Sequence, residues 1–261
     1  QNTQLVKEMQ QKQKQIEQLN TNLERRVEER TAELNKVNEE LKNFAYVVSH
    51  DLKAPLRAIN QLSGWIADDY ADLFDDDGKE QIGLVRSRAT RMHEMIDGIL
   101  QYSRIGRIKE RSEEVNLSQI INEVINLIAL PDNINVTIKT KFPTITGEKL
   151  RIFQVFQNLI DNAIKYNDKE RGIIELTCTE QGDFWQIVIS DNGPGIAKKY
   201  QHKIFQLFQT LKPKDLSDST GIGLSLIEKI VTNWGGKIWI ESEEGKGCQF
   251  IFTIPIIIKD E

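Results

Sequence analysis

The sequence predicts a multidomain protein: an all-α coiled coil and helical hairpin forming a dimeric four-helix bundle, followed by an α+β two-layer sandwich. Three observations predict it. From Val6 to Val48 the chain has neither proline nor glycine and repeats apolar residues at heptad spacing. A second amphipathic stretch runs from about Glu80 to Ser103. Beyond Val115 the period changes to short strand-like segments interleaved with helical ones. Hairpin-connected strands beside segregated helices describe a sandwich, not a doubly wound parallel sheet.

The heptad opens the chain. With a at 6, 13, 20, 27, 34, 41 and 48 it reads Val, Gln, Asn, Val, Leu, Leu and Val; with d at 9, 16, 23, 30, 37 and 44 it reads Met, Ile, Leu, Arg, Val and Phe. This is the pattern of a parallel coiled coil with polar breaks at Gln13, Asn20 and Arg30, and hence of a homodimer. The same frame puts His50 at c, facing water, and Pro55 at the next a position, where its ring and missing N–H predict a kink. Apolar residues resume at Ile59, Leu62 and Ile66. The run "DDYADLFDDDGKE" then reads as an acidic helix-to-helix connection whose spacing matches no EF-hand. The second helix carries Ile82, Val85, Ala89, Met92, Met95, Ile96, Ile99 and Leu100 on one stripe, and two such hairpins make a four-helix bundle. The polar stretch 104–114 marks a domain boundary. The expected division is a coiled coil at 1–42, a hairpin at 43–107 and a sandwich at 108–261.

In the sandwich the pattern predicts a short strand at Val115–Leu117, a helix opening at Ser118 and an extended segment from Ile134. A long helix is expected over about Glu148–Tyr166, strands near 172–179 and 184–191, a helix at 222–234, and strands near 236–242 and 248–254.

Composition narrows the function. The 261 residues, 39% of them hydrophobic, suffice for a buried core and about two domains. A net charge of −5, from 34 basic and 39 acidic residues spread along the chain, gives no footprint for nucleic acid or anionic membrane. Cys178 and Cys248 lie in apolar segments and need no disulfide. With no apolar run near the ~20 residues that span a bilayer and no signal peptide, a cytoplasmic setting is expected. Gln1 stands in place of an initiator Met, so the sequence reads as a fragment, and the longer chain could be membrane-anchored upstream.

Within the long helix, Asn158, Asn162 and Lys165 fall at i, i+4 and i+7 and share one face. That face suits either solvent or a ligand: amide oxygens can complete the shell of a Mg²⁺ held by phosphates, and the lysine can meet a phosphate. "SDNGPGI" follows, where Gly193, Pro194 and Gly195 after Asp191 permit positive φ and close approach to a ligand. In "STGIGLSL", Gly221 and Gly223 open a helix whose first N–H groups can bind phosphate. Gly245 and Gly247 form a third set, and none of the three matches a P-loop or a dinucleotide fingerprint.

Read in order, "SHDLKAPL", "NLIDNAIKYN", "DNGPGI", "IFQLF" and "TGIGLSL" resemble the H, N, G1, F and G2 boxes of sensor histidine kinases of two-component systems. The resemblance covers about Asn43 to Pro255, and the coiled coil is similar to the signalling helix that precedes such cores. It implies a dimerisation and histidine phosphotransfer hairpin joined to an ATP-binding domain. The activity implied is autophosphorylation of a histidine followed by transfer to an aspartate of a response regulator, with a sensor domain upstream in the full-length chain.

By that resemblance His50 is the phosphoacceptor, a largely neutral nucleophile at an unperturbed pKa of ~6.5. Asp51 is the neighbouring base, holding the reactive tautomer. Lys53 and Arg57 share the face of His50, as a solvated stripe or as supports for phosphate or an acidic partner. Asp191 accepts from the adenine amino group, with Gly193, Gly195 and Ile196 beside the base. Asn162, with Asn158, holds Mg²⁺; Lys165 and Tyr166 reach phosphates or ribose. Residues 197–220 form a lid anchored by Phe205 and Phe208 and ending at Thr220, Gly221, Gly223 and Leu224. Lys212 and Lys214 are candidates for γ-phosphate contacts or ordinary exposed lysines.

Three positions refine the expectation. In related gyrase-type ATPases a glutamate sits four residues before the Mg²⁺ asparagine and activates water; Asn158 cannot. Ala54, four residues after His50, stands where strong phosphatases of this type carry Thr or Asn, so phosphatase activity is expected to be weak. Ser219 replaces a common glycine and is expected to stiffen the lid hinge. A nucleotide-sensing scaffold and a hydrolysing ATPase are the rival readings.

Overall fold

The structure, a computed structural model, describes residues 2–106, 112–210 and 220–256. The chain forms two compact units, Gln1–Asp51 and Leu52–Glu261. The linker residues 107–111, the lid lysines Lys212 and Lys214, and Ser219 lie outside the described residues.

The first unit is helical throughout and belongs to α1 (Asn2–Asp69). Its described heptad residues Ile16, Leu23, Val27, Leu34, Val37 and Val48 are exposed. The side chains of Val6, Met9, Leu41 and Phe44 lie outside the described residues. Pairs such as Arg25–Glu29 at 2.9 Å and Arg30–Glu33 at 2.6 Å support the helix locally.

In the second unit α1 continues through Pro55 to Asp69. The proline sits inside the helix without ending it, because its missing N–H removes one backbone bond while the turns on either side keep theirs. Helix α2 (Asp76–Arg104) begins four residues before Glu80, within the acidic run. Asp75 is its N-cap, accepting from the Gly78 N–H at 2.8 Å, and Asp76 and Asp77 place negative charge on the first turn. The run therefore starts a helix, and no group of acidic, His or Cys side chains among the described residues is arranged to hold a metal. Leu56, Ala89, Ile96 and Leu100 are buried, and Lys53 pairs with Asp97, which also meets His93 at 3.4 Å. By contrast Ile59, Leu62, Trp65, Ile66, Leu84, Val85 and Met92 stay exposed.

The sandwich follows. A two-stranded antiparallel sheet joins β1 (Glu113–Asn116) to β3 (Thr144–Gly147). The larger sheet has the order β2-β4-β5-β7-β6, from β2 (Ile134–Ile138), β4 (Gly172–Gln181), β5 (Phe184–Asp191), β6 (Ile238–Glu243) and β7 (Gly247–Pro255). Helices α3 (Leu117–Leu127), α4 (Lys149–Lys165) and α6 (Gly223–Asn233) cover it, and a short α5 (Lys198–Gln201) lies between β5 and α6.

Three details depart from the sequence pattern. β2 pairs with β4 in parallel, Ile134 opposite Gly172, because the chain crosses over through α4 between them. β3 is a strand of four residues, with Ile145 and Gly147 buried and Thr144 and Thr146 exposed, an alternation too brief to stand out in the sequence. α3 starts at Leu117 because the Asn116 side chain caps it, accepting from the Gln119 N–H at 3.2 Å.

On α4, Ile152, Val155, Phe156, Leu159, Ile160 and Ala163 form one buried stripe. Phe156 stands edge-on between Phe142 and Phe252, with ring centroids 6.3 and 5.8 Å away. Burying that stripe fixes the opposite face of α4, and so the direction of Asn158, Asn162 and Lys165.

Candidate active site

In the first unit, His50 is presented on α1 with its side chain 76% exposed. Its Nδ1 lies 3.2 Å from Asp51 Oδ1. Adjacent helical residues do not share a face, so helix spacing alone predicts no such contact; both side chains are long enough to bend together at the surface. The contact engages Nδ1 and leaves Nε2 to solvent. A proton on Nδ1 donates to the carboxylate, which defines Nε2 as the lone-pair nitrogen.

In the second unit, the predicted ATP-binding residues surround one cavity of about 580 Å³. From α4 come Asn158, Asn162, Lys165 and Tyr166; from the turn after β5 come Asp191, Gly195 and Ile196; at the opening of α6 stand Thr220, Gly221, Gly223 and Leu224. Gly193 and Phe208 do not line it. Gly193 acts one step back: its N–H donates to Asp191 Oδ1 at 2.8 Å, and its φ is not positive. Phe208 takes φ 63° and its N–H donates to the Gly221 carbonyl at 2.9 Å, while Phe205 packs against the core.

Two glycines are required by space and φ together. At Gly195, φ 71°, a Cβ would lie 2.1 Å from the Glu243 carbonyl oxygen. At Gly221, φ 70°, it would lie 2.7 Å from the Gln209 carbonyl oxygen. Each loop therefore approaches a neighbouring backbone too closely for any side chain.

Asp191 ends β5 at the base of the cavity. Burial raises its pKa above the usual carboxylate value, an effect partly offset by N–H donors from Gly193 and Cys248. Behind it, Asn192 Oδ1 accepts from Asn167 Nδ2 at 3.0 Å and from the Ile173 N–H at 2.8 Å, and its amide donates to the Arg171 carbonyl at 2.9 Å. This polar knot sets the turn and leaves the Asp191 carboxylate as an acceptor facing the cavity.

Asn158 donates through Nδ2 to the Gln154 carbonyl at 2.9 Å, which leaves its Oδ1 as the outward group. That oxygen lies 2.8 Å from where a Gly223 Cβ would stand, so only glycine leaves it clear. Two carboxamide oxygens one helical turn apart fit a Mg²⁺ whose remaining ligands are phosphate oxygens and water, a hard ion with oxygen donors. The N-terminus of α6 has no side-chain cap, so its leading N–H groups are available to an anion.

Several lining residues were not among those predicted. Asp161 precedes Asn162 on the ligand face and was findable from helical spacing; Cys248 and Phe250 alternate on β7 and were findable from strand spacing. Glu94 of α2 carries no sequence signal, since tertiary packing alone brings it in, whereas Gln209 and Thr210 fall within the lid expected over 197–220. The end of α2 docks on the α4–α6 side of the sandwich. A Cβ on Gly98 would lie 2.6 Å from Ile222 Cδ1, Gln154 Nε2 donates to Gln101 Oε1 at 2.9 Å, and Lys229 Nζ donates to the Tyr102 carbonyl at 2.7 Å.

Residues 40–108 match the family described as His Kinase A (phospho-acceptor) domain, and residues 147–258 match Histidine kinase-, DNA gyrase B-, and HSP90-like ATPase. The chain belongs to the sensor histidine kinase family. This histidine kinase is 36% identical over 227 residues to cyanobacterial phytochrome B of Nostoc sp., covering 85% of this chain and 30% of that protein. It is 32% identical over 233 residues to the methanogenesis regulatory histidine kinase FilI of Methanothrix harundinacea, covering 88% of this chain and 26% of FilI. The chain thus spans less than a third of these curated relatives. Among solved structures, full-length ShkA in complex with AMPPNP shares the fold, with a TM-score of 0.63 at 21% identity over 82% of this chain and 45% of ShkA. The catalytic domain of histidine kinase ThkA matches 56% of this chain and 97% of its own length at 33% identity, with a TM-score of 0.50. No described helix is long and apolar enough to cross a membrane.

Proposed function

We propose that the chain is the core of an ATP-dependent protein-histidine kinase that phosphorylates its own His50 and then passes the phosphoryl group to an aspartate of a response-regulator receiver domain. The observation that carries this reading is the exposed imidazole held through Nδ1 by Asp51, on a chain whose predicted nucleotide residues converge on one cavity.

In this reading Asp191 accepts from the adenine amino group. Lys165, Tyr166 and the open N–H groups of α6 meet ribose and phosphates. Asn162 and Asn158 hold Mg²⁺, which offsets the charge on the phosphate oxygens when bound. The Nε2 lone pair of His50 forms a bond to the γ-phosphorus. The bond to the bridging oxygen breaks, and its electron pair leaves with ADP. The Nδ1 proton passes to Asp51, which leaves a phosphohistidine whose imidazole ring is neutral and whose phosphoryl group carries the negative charge. In the second step the P–N bond breaks as an aspartate oxygen of the receiver domain bonds to phosphorus.

Asn158 cannot take a proton from water, which favours transfer over hydrolysis. Ala54 offers no group to orient a water at a phosphoaspartate, so phosphatase activity is weak. The working division is 1–42, 43–107 and 108–261, and it is supported by family matches at 40–108 and 147–258. The exposed heptad and hairpin residues support a homodimer; an upstream sensor domain and a cytoplasmic setting complete the same reading.

The test is incubation with γ-labelled ATP and Mg²⁺ beside a His50→Gln variant. Label that is lost in acid, survives alkali and is absent from the variant is the expected result. Nucleotide binding with no label would replace this reading with a nucleotide-sensing scaffold.

A further inference from the structure

Ile196 lines the cavity immediately after Gly195, at the end of the turn that begins with Asp191. Both polar groups of its backbone are held by side chains, and both side chains come from elsewhere. Its N–H donates to Ser242 Oγ on the edge strand β6 at 2.8 Å, and its carbonyl accepts from Gln201 Nε2 at the end of α5 at 2.9 Å. The same Gln201 amide donates to the Ser242 carbonyl at 2.8 Å, so both of its hydrogens are used.

The hydroxyl of Ser242 does more than accept from Ile196. It donates to the Gly247 carbonyl at 2.7 Å and lies 3.2 Å from Cys248 Sγ. A carbonyl can only accept, so the single hydroxyl proton goes to Gly247. The Cys248 S–H is then the donor to Ser242 Oγ, and the two oxygen lone pairs are filled by Ile196 and Cys248. Burial pushes the Cys248 thiol up to about 11, consistent with a neutral S–H at this position.

Ser242 therefore joins two cavity-lining residues, Ile196 and Cys248, that flank Asp191 on separate segments. Backbone contacts make the junction tight: the Gly245 N–H donates to the Pro194 carbonyl at 2.7 Å, and a Cβ at Gly247 would lie 1.9 Å from the Asp191 carbonyl oxygen. Glycines at 195 and 247 stand where these backbones cross, which leaves the joining to hydrogen bonds.

We propose that Ser242 and Gln201 are positioning residues that fix the wall against which the nucleobase is read. This rests on the nucleotide reading above. Asp191 discriminates only if the base cannot shift, because a purine that presents an acceptor where adenine presents its amino group must leave the buried carboxylate unpaired. A wall free to move lets the wrong purine slide into a tolerable position. Loss of the clamp therefore weakens ATP and, more tellingly, narrows the preference for ATP over GTP. It does not touch the reacting phosphate.

The experiment compares the full chain with Ser242→Ala, Gln201→Leu and Ser242→Thr, after thermal unfolding confirms folding of each. Displacement of a fluorescent ATP analogue by ATP and by GTP gives the preference; labelled autophosphorylation gives kcat and KM. Expected for Ser242→Ala and Gln201→Leu is a KM for ATP about tenfold higher, the scale of one lost supporting hydrogen bond to a buried site, with kcat within about twofold. Their ATP-over-GTP preference shrinks, and Ser242→Thr restores it. If Ser242→Ala does not fold, Gln201→Leu alone decides. Folded variants with unchanged preference, or with kcat lost and KM unchanged, overturn the proposal while leaving the nucleotide reading intact. A wild-type protein in which ATP displaces nothing overturns both.

Discussion

In the sandwich, Phe156, Leu159, Ile160 and Phe252 are fully buried, whereas in the hairpin Leu62, Trp65, Leu84 and Met92 remain about half exposed. The two regions draw on the same apolar residue types at the same helical spacing. What differs is whether one chain supplies both sides of the contact. The sandwich has a sheet for its helices to cover, and the core-facing stripe of α4 is buried along its length. The hairpin helices bury only an inner line at Leu56, Ala89, Ile96 and Leu100, and the rest of their apolar surface waits for another surface. Stability of the first region is thus expected to be a property of one chain, and in the proposed homodimer stability of the second is expected to depend on chain concentration.

The contrast can be broken most sharply in the sandwich. Phe156→Ala removes the ring that bridges Phe142 and Phe252, and is expected to cost about 3–5 kcal/mol whatever the protein concentration. Denaturant unfolding at two concentrations checks it; a concentration-dependent midpoint would mean that the sandwich also leans on a partner. Next in size, Leu62→Lys with Leu84→Lys should shift the protein to a monomer in sedimentation while ATP displacement persists. Loss of nucleotide binding in that monomer would contradict the separation. A smaller effect concerns pH. Burial pushes Cys178 and Cys248 from 9.0 up to about 11, so the folded sandwich holds these protons more tightly than the unfolded chain. That contribution is complete below pH 9 and is lost as pH rises through 11. Thermal unfolding of the sandwich should therefore weaken across that window, and Cys178→Ala should flatten the slope. The smallest effect is at Lys53, whose pairing with Asp97 is partly exposed; Lys53→Met should change stability by no more than about 1 kcal/mol.

The same contrast explains what could be read beforehand. The α4 stripe and its polar face were legible because one helix carries both, so fixing Phe156 inward fixes Asn158 and Asn162 outward. Asp191 and the glycine pairs were legible as turns. The parallel pairing of β2 with β4 was not, because strand direction is set by a crossover and leaves no mark in alternation. Glu94 was hidden for a related reason: it reaches the cavity through docking between elements, with no local period to announce it. The Asp51 contact to His50 escaped helix-spacing rules because it is made by side-chain length at an exposed surface. At Pro55 the helix runs on, so the proline does not end it.

Gly98 gives the hairpin a notch. Its missing side chain is what lets Ile222 seat against α2, and Ile222 lies between the two glycines that open α6 at the cavity. A helix presents such a notch at one angle only. Turning α2 by a single residue, roughly 100°, would bring Asp97 or Ile99 to the place of Gly98 and wedge Ile222 outward. Gly98 therefore fixes one rotational setting of α2 against the turn that opens α6, as a key fits one way in its slot.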